Sequence, residues 1–501
     1  MTYLKKYSFH GFILVVFLLV YVVLSNSNTG FFSDDYVWLN RYEKFGFHGL
    51  GNNYNDQFFL PLTYLVQIIE WSFFKENYLF YFFVNAFVFI FSLLVLYELL
   101  KQIQSEFELP LFWSEVIVSI VLLSPYNTEV LKWYSSQSYL FSSFFIITAF
   151  YFYFKFKKSS QKVYLILLSG SFFISILFKE IGLFFPFSVV LIEAFVFRKK
   201  INFKLLLILC LLLVVYFSMR ALFLGNLIGG YGSEIHLDFS FEKILAVIAA
   251  YFAKFFFLYR YEFGFYFLLF LNVLFLLIVL LKRDKKILLY TTTFTLLFIL
   301  SLLPVINLET SFLDSIQSDR YGYLPGIFAS IVIGSTITFL LNKKSVLVIC
   351  FSLGIVQFYL LHTTLTDWEK AQEFKNNFIE RVREISASNP SFTLVNLPDN
   401  YNGIYIFRNG FETFQNKYLP SKKITVGVLY QSNYKDIVQA KITNSHLLIT
   451  TNSGKFFPYI RSSVKPISIQ LNQVTFDLKN CTQPIYMFNG NLLQKVDLRK
   501  K

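Results

Sequence analysis

Apolar runs of similar length recur along the chain, and they constrain its fold more than any other feature. Crossing the hydrocarbon core of a bilayer takes about 20 predominantly apolar residues. Only 15 % of the 501 residues are charged, whereas soluble proteins contain about one-quarter. The pattern predicts a polytopic α-helical membrane protein with about 11 transmembrane helices. The predicted spans lie near residues 9–24, 78–100, 110–125, 138–154, 163–178, 182–197, 204–223, 264–281, 287–306, 323–341 and 345–362.

Basic residues between these runs predict which side of the membrane each loop faces, because cytoplasmic loops are enriched in lysine and arginine. Segment 243–260 carries Lys254 and Arg260. Counting it as a span would move the last two basic clusters to the opposite face, so we predict that it is interfacial or re-entrant. The clusters are Lys5-Lys6, 155–162, 198–204, 282–286 and Lys343-Lys344.

The chain changes character after the last predicted span. Residues 367–387 place apolar side chains at helical spacing, and short strand-like runs follow Asn389-Pro390. We therefore expect a membrane domain at 1–365 and a small α+β or mainly β domain at 366–501. The predicted topology places the second domain outside the cytoplasm. Much of the positive charge behind the net charge of +14 lies in the basic clusters that determine this topology. We therefore expect no nucleic-acid partner.

The apolar segment at 58–74 is predicted to be something other than a span. It contains Pro61, Gln67 and Glu70 among its apolar residues. This mixture is typical of an amphipathic helix lying in the membrane interface.

Two adjacent carboxylates, Asp34 and Asp35, follow the first predicted span. They could be ordinary helix-start residues, because Ser33 is a good N-cap and acidic residues suit a first turn. Alternatively, one of them is a general base at the membrane rim. Adjacent residues point in different directions, so we expect one aspartate to do chemistry and the other to hold the loop.

Other charges are predicted to lie on the same membrane face. Lys179-Glu180 sits in a turn too short to solvate it, and charges so close to hydrocarbon are candidates for function. The alternative is a lysine that snorkels beside an incidental glutamate. Glu129 lies in the loop 124–137, and the loop 309–325 carries Arg320, whose planar fork of donors suits phosphate.

The neighbours of Arg320 allow structural interpretations as well. Asp319 and Arg320 could form a simple loop ion pair. Tyr321 and Tyr323 could belong to an interfacial aromatic belt. Taken together, however, the loops offer a base, a cation and supporting polar groups. This combination suits displacement of a lipid phosphate by an acceptor hydroxyl.

The ordered set of motifs resembles the GT-C superfamily of integral membrane glycosyltransferases, in particular the protein O-mannosyltransferase branch, including its tetratricopeptide-repeat-bearing members. Two departures are a small strand-rich domain instead of helical repeats, and Leu60 where an arginine is often found. The matching residues are Asp34-Asp35, Pro61-Leu62-Thr63, Ser124-Pro125, Thr128-Glu129, Ser135-Ser136, Lys179-Glu180, Gly182, Pro186, Arg320-Tyr321 and Tyr323-Leu324-Pro325.

The resemblance implies a polyprenyl-phosphate sugar donor, an acceptor hydroxyl on a protein or glycan, and a multi-pass location in a bacterial plasma membrane. It assigns the base to Asp34, with Asp35 as the second candidate, and donor-phosphate binding to Arg320 and Lys179. Glu180, Asp319, Tyr321, Tyr323 and Glu129 are then supporting residues. No cofactor is certain, although a divalent cation held by Asp34 or Asp35 is compatible with this chemistry.

Two other classes of function fit parts of the pattern. A transporter or flippase of a lipid-linked glycan would place charges deep inside its spans, along a pathway. Here the notable charges cluster at span ends, which favours an enzyme. A catalytically inactive GT-C-like assembly protein would be indifferent to the loss of Asp34.

Overall fold

The structure is a computed structural model, and its contacts divide the chain into two compact units. The first comprises Met1–Ser25 and Tyr42–Thr364, and the second comprises Asn26–Arg41 and Leu365–Lys501. The structure describes residues 2–23, 30–51, 58–198, 201–227, 240–255, 285–306, 318–420, 422–432, 438–443, 446–452, 454–459, 465–478, 483–489 and 492–496.

The first unit is helical, as the apolar runs predict. In the part that the structure describes, seven helices are long and apolar enough to cross a membrane. Shorter apolar helices cover Phe9–Tyr21, Trp113–Leu122 and Lys162–Phe178. The long ones are Tyr78–Phe107, Tyr134–Ser159, Glu180–Phe197, Phe203–Leu224, Leu288–Val305, Asp319–Leu340 and Lys343–Ser388.

These helices confirm the prediction of a polytopic helical membrane protein. They account for every predicted span except 264–281, which lies outside the described residues. Segment 243–260 forms the helix Phe241–Phe255 as far as it is described, and its interfacial placement stays a prediction. Other helices of the described residues, in either unit, are Thr2–Phe17, Leu18–Val23, Asp34–Phe45, Gly46–Gly51, Pro61–Phe74, Asn127–Lys132, Phe185–Leu191 and Phe411–Tyr418.

Local features fix two helices that carry motifs of the resemblance, Pro61–Phe74 and Asp319–Leu340. The helix Pro61–Phe74 begins at its proline, where the missing N–H costs nothing. Within the helix Asp319–Leu340, Gly334 approaches Ile117 so closely that a Cβ would lie 2.4 Å from its side chain. Small residues allow membrane helices to pack this closely. Trp113 adds a hydrogen bond from its indole nitrogen to the Ser335 hydroxyl at 2.9 Å.

The second unit combines helices with two β-sheets, which confirms the predicted α+β character of the C-terminal part. One sheet has the order β10-β9-β1-β3-β6, with β2 paired to β1, and the other has the order β4-β5-β8-β7. The strands are β1 Ser391–Tyr401, β2 Ile404–Tyr405, β3 Lys423–Ser432, β4 Val438–Thr443, β5 His446–Thr451, β6 Lys455–Pro458, β7 Ser468–Gln470, β8 Gln473–Asp477, β9 Ile485–Asn489 and β10 Leu492–Lys495.

Strand β1 is the centre of the larger sheet, because β3 and β9 both pair with it in parallel. All but the first of its residues are buried. The end of the helix Lys343–Ser388 supplies apolar side chains to this unit. The rings of Phe374 and Phe378 both contact Phe488 of β9. The first-loop segment Asn26–Arg41 also belongs to this unit, and the predicted boundary at residue 365 stays a prediction.

Candidate functional site

The two aspartates of the first loop have different surroundings within the second unit. Asp35 is fully buried, and its Oδ2 accepts a hydrogen bond from the Phe32 amide at 2.9 Å. Asp34 begins the helix Asp34–Phe45 and is only half-buried. Its Oδ1 accepts a hydrogen bond from the Asn409 side chain at 2.7 Å. Asp35 is therefore enclosed by the protein, as expected of a residue with a structural role, whereas Asp34 remains partly accessible.

The buried side chain of Lys375 contacts the residues that immediately precede the two aspartates. Its ammonium donates to the Phe31 carbonyl and lies 4.3 Å from the centre of the Phe32 ring. Lys375 lies beyond the apolar stretch 345–362 of its helix. Burial lowers the pKa of Lys375 to about 7, while the negative charge of Asp35 opposes this change. This buried lysine near Asp35 is, after the burial of Asp35 itself, the second observation that favours a structural role for Asp35.

An ion-pair cluster surrounds the Lys179-Glu180 turn in the first unit. Lys179 Nζ lies 3.5 Å from Glu180 Oε2, and Arg220 Nη1 lies 2.9 Å from Glu180 Oε1. The ammonium of Lys179 also lies over two aromatic rings, 4.3 Å from the centre of Phe58 and 5.4 Å from that of Tyr139. Lys179 is therefore a buried cation held by a carboxylate and by ring faces.

Hydrogen bonds to the backbone fix the Lys179 turn. The Thr63 hydroxyl donates to the Phe178 carbonyl at 2.8 Å, and the Ser142 hydroxyl donates to the Lys179 carbonyl at 3.1 Å. A Cβ on Gly182 would lie 2.6 Å from the Ser175 hydroxyl, so this close approach requires glycine. The structure thus brings together the Pro61-Leu62-Thr63 and Lys179-Glu180 motifs.

The second cluster is formed by Arg320 and Glu129. Arg320 Nη1 donates to Glu129 Oε1 at 2.6 Å, and the Arg320 amide donates to Oε2 at 2.5 Å. The guanidinium lies 4.7 Å from the centre of the Trp133 ring and 4.4 Å from that of Tyr321. Glu129 thereby fixes both the start of the helix Asp319–Leu340 and the orientation of its arginine.

Two tyrosines connect these clusters. The rings of Tyr139 and Tyr321 meet edge to face, with centroids 5.3 Å apart. Tyr139 carries the Lys179 ammonium on its face, and Tyr321 carries the Arg320 guanidinium. The two cations that the sequence assigns to phosphate binding thus lie on a pair of adjoining rings.

The loop predicted at 309–325 ends earlier than expected, because residues from Asp319 onward are helical. The other predicted site residues in the first turns of this helix are buried. Asp319 is fully buried, and Tyr323 is 2 % exposed. Gly322 packs against Tyr126, where a Cβ would lie 2.7 Å from the ring. These surroundings suit support of the start of this helix better than direct contact with a substrate.

The structure also shows two buried charged groups that the sequence analysis did not assign to the site. Arg220 is buried inside the apolar helix Phe203–Leu224, and a lone arginine within a span is itself a signal of function. Glu70 is buried and accepts a hydrogen bond from the Gln137 side chain at 2.7 Å. Burial raises the pKa of Glu70 to about 8, although the bond from Gln137 opposes the change.

Among the described residues, no three histidine, cysteine, aspartate or glutamate side chains come close enough together to hold a metal ion. Asp34 and Asp35 are both engaged by nitrogen donors of the protein. A divalent cation held by Asp34 or Asp35 stays a prediction.

No protein-family model and no curated protein sequence matches this chain. Among solved structures, the chain is similar to the crystal structure of ArnT from Cupriavidus metallidurans bound to undecaprenyl phosphate. The two share 10 % sequence identity with a TM-score of 0.47, over 95 % of this chain and 99 % of that one.

Proposed function

We propose that this protein is an integral membrane glycosyltransferase of the GT-C type, in which a hydroxyl of a protein or glycan displaces polyprenyl phosphate from a sugar. The observation that carries the proposal is a pair of cations on adjoining tyrosine rings, a buried Lys179 and an Arg320 whose side chain is 10 % exposed. Lys179 and Arg320 are each oriented by a glutamate and by aromatic faces. Removing such cations from water costs free energy, and a role in function accounts for their presence despite this cost.

Donor binding is assigned to the first unit. Arg320 offers a planar fork that matches two phosphate oxygens, and Glu129 holds that fork in place. Lys179, whose ammonium lies over the neighbouring Tyr139 ring, adds a second, compact positive charge. Positive charge at the phosphate lowers the barrier, because negative charge develops on the leaving group as the bond to the sugar breaks.

Proton removal is assigned to Asp34. The acceptor oxygen forms a bond to the anomeric carbon while the bond from that carbon to the phosphate oxygen breaks. The electron pair of the broken bond leaves with the phosphate, and the acceptor proton passes to the Asp34 carboxylate. One displacement of this kind inverts the anomeric configuration. Asp35 is buried and accepts from a backbone amide, which suits it less to receive a substrate proton.

Sugar transfer by the purified protein tests this proposal. The reaction would contain polyprenyl-phosphate sugars, with the mannosyl donor first because of the family resemblance, and a mixture of acceptor peptides and glycans. We expect release of polyprenyl phosphate that depends on the acceptor and is lost in Asp34→Asn. Acceptor-dependent release that continues unchanged in Asp34→Asn would overturn the assignment. Movement of the intact lipid-linked sugar across vesicles without its cleavage would instead identify a flippase.

The C-terminal domain is proposed to lie outside the cytoplasm of a bacterial cell. Lys441 is an exposed residue of β4, so Lys441→Cys reports on this domain. Cys210, Cys350 and Cys481 would first be replaced by serine. We expect an impermeant thiol reagent to label intact spheroplasts. Labelling only after permeabilisation would contradict the predicted topology.

A further inference from the structure

Residues 406–411 hold the start of the Asp34 helix, and they do so within the second unit. The Ser33 amide donates to the Ile406 carbonyl at 2.9 Å, and the Asn409 amide donates to the Ser33 hydroxyl at 3.4 Å. A Cβ on Gly410 would lie 2.0 Å from the Ser33 carbonyl oxygen. Glycine at position 410 therefore allows the two backbones to approach.

The Asn409 side chain of this turn reaches the Asp34 carboxylate. Asn409 Nδ2 donates to Asp34 Oδ1 at 2.7 Å, a normal length for a hydrogen bond to a carboxylate. A bond to one oxygen restricts rotation of the carboxylate about its terminal torsion, which is otherwise broad. The bond therefore favours one orientation of the group that would receive the substrate proton.

The turn that presents Asn409 is itself anchored to the sheet. Arg408 donates to the buried Asp399 of β1 through Nε at 2.7 Å and Nη2 at 2.6 Å. Its Nη1 donates to the Tyr405 hydroxyl at 3.0 Å. Burial opposes the charge of Arg408, but its bonds to Asp399 and the charges of Asp399, Tyr405 and Asp34 raise its pKa. A charged, two-pronged contact of this kind fixes the backbone next to Asn409.

We propose that Asn409 is a positioning residue that sets the orientation of the Asp34 carboxylate. The C-terminal domain then serves catalysis directly, because its turn at 406–411 orients the base. This inference rests on the proposed function, since it assumes that Asp34 removes the acceptor proton. A base must be held to about 0.5 Å by its supporting residues, and a misplacement of about 1 Å costs on the order of a hundred-fold in rate.

The test combines single and double variants of the full-length protein. We expect Asn409→Ala to lower kcat by about ten- to a hundred-fold with the donor KM and the melting temperature unchanged. Asn402→Ala is the matched control, because Asn402 donates to Asp367 at 3.2 Å in the same domain. It should leave kcat unchanged. Adding Asn409→Ala to Asp34→Asn should cause no further loss, because Asn409 acts through Asp34.

Asn409→Asp gives a second readout if the alanine variant folds poorly. It keeps the size of the side chain but places an acceptor where Asp34 needs a donor. Activity should be low at neutral pH and recover in part at lower pH, as the introduced carboxyl gains a proton that it can donate. A structural role would leave the pH profile unchanged.

The outcomes separate the two assignments. Full activity in Asn409→Ala, together with loss of activity in Asp34→Asn, would overturn the positioning role alone. So would an additive loss in the double variant. Unchanged activity in Asp34→Asn would instead overturn the base assignment in the proposed function.

Discussion

The charges of the first unit and the Asp34 carboxylate of the second unit are held in different ways. Lys179 is buried and the side chain of Arg320 is only 10 % exposed. Each has both a glutamate partner and aromatic faces around it. Asp34 is half-buried, and an amide contacts one of its oxygens. A cation that binds a fixed anion benefits from complete preorganisation. A general base needs access to a proton, so it is oriented without being enclosed.

The same contrast separates the two neighbouring aspartates. Asp35 resembles the first unit's charges in being buried, with Lys375 close by. Its environment suits a structural role, whereas that of Asp34 suits the proposed chemistry. The comparison therefore predicts that variants of these residues will affect different measurements.

The largest expected effect is that of Asp34→Asn on sugar transfer. Asparagine is nearly isosteric and keeps an oxygen that can cap the helix, but it cannot take a proton. We expect transfer to fall by about 10²–10⁴-fold, with folding intact. Asp35→Asn should mainly lower the melting temperature and should change the turnover of the folded protein only slightly. Equal and mild losses of transfer in both variants would show that the loop is a scaffold.

A smaller effect is expected for Arg320→Lys. Lysine keeps the positive charge but lacks the planar fork that contacts Glu129 and suits phosphate. We expect the donor KM to rise by about ten-fold, which is the value of a charged hydrogen bond, while the acceptor KM stays the same. Trp133 and Tyr321 should remain packed in the variant. A rise in the acceptor KM alone would contradict this assignment and would indicate that Arg320 binds the acceptor.

The smallest effect concerns the dependence of stability on pH. Burial lowers the pKa of Lys375 to about 7, against about 10.4 for an exposed lysine. Between these pH values the unfolded chain binds more protons, so the stability of the folded state rises with pH. We expect the melting temperature to rise from pH 7 to 9.5 more steeply in the wild type than in Lys375→Met. Parallel slopes would show that Lys375 keeps its charge on folding.

Much of the fold could be predicted because periodic patterns have simple physical causes. The apolar runs gave the described spans, since a bilayer requires a fixed length. The strand-like runs after Asn389-Pro390 predicted β1, β2, β3, β5, β7 and β9, because such runs of apolar and β-branched residues suit a pleated surface. They lie at 392–397, 403–407, 424–430, 446–451, 467–471 and 484–488. Strand β4 carries mostly exposed residues and so offered little apolar signal.

The site could be predicted only in part. The Lys179-Glu180 turn was recognisable because charges next to apolar runs are costly, and the same argument could have found Arg220. Asn409 gave no such signal, because its role depends on a contact with Asp34 across 375 positions of sequence. Pairing of Arg320 with Glu129 likewise depends on how distant helices pack.

Equilibrium binding of a polyprenyl phosphate tests most directly whether binding and proton removal are separate roles of the two units. The wild type, Asp34→Asn and Arg320→Ala would be reconstituted in lipid nanodiscs, and the dissociation constant would be measured for each. We predict that Asp34→Asn binds as the wild type does, and that Arg320→Ala binds about ten- to a hundred-fold more weakly. Wild-type affinity in Arg320→Ala, or an equal loss of affinity in both variants, would contradict the separation of roles.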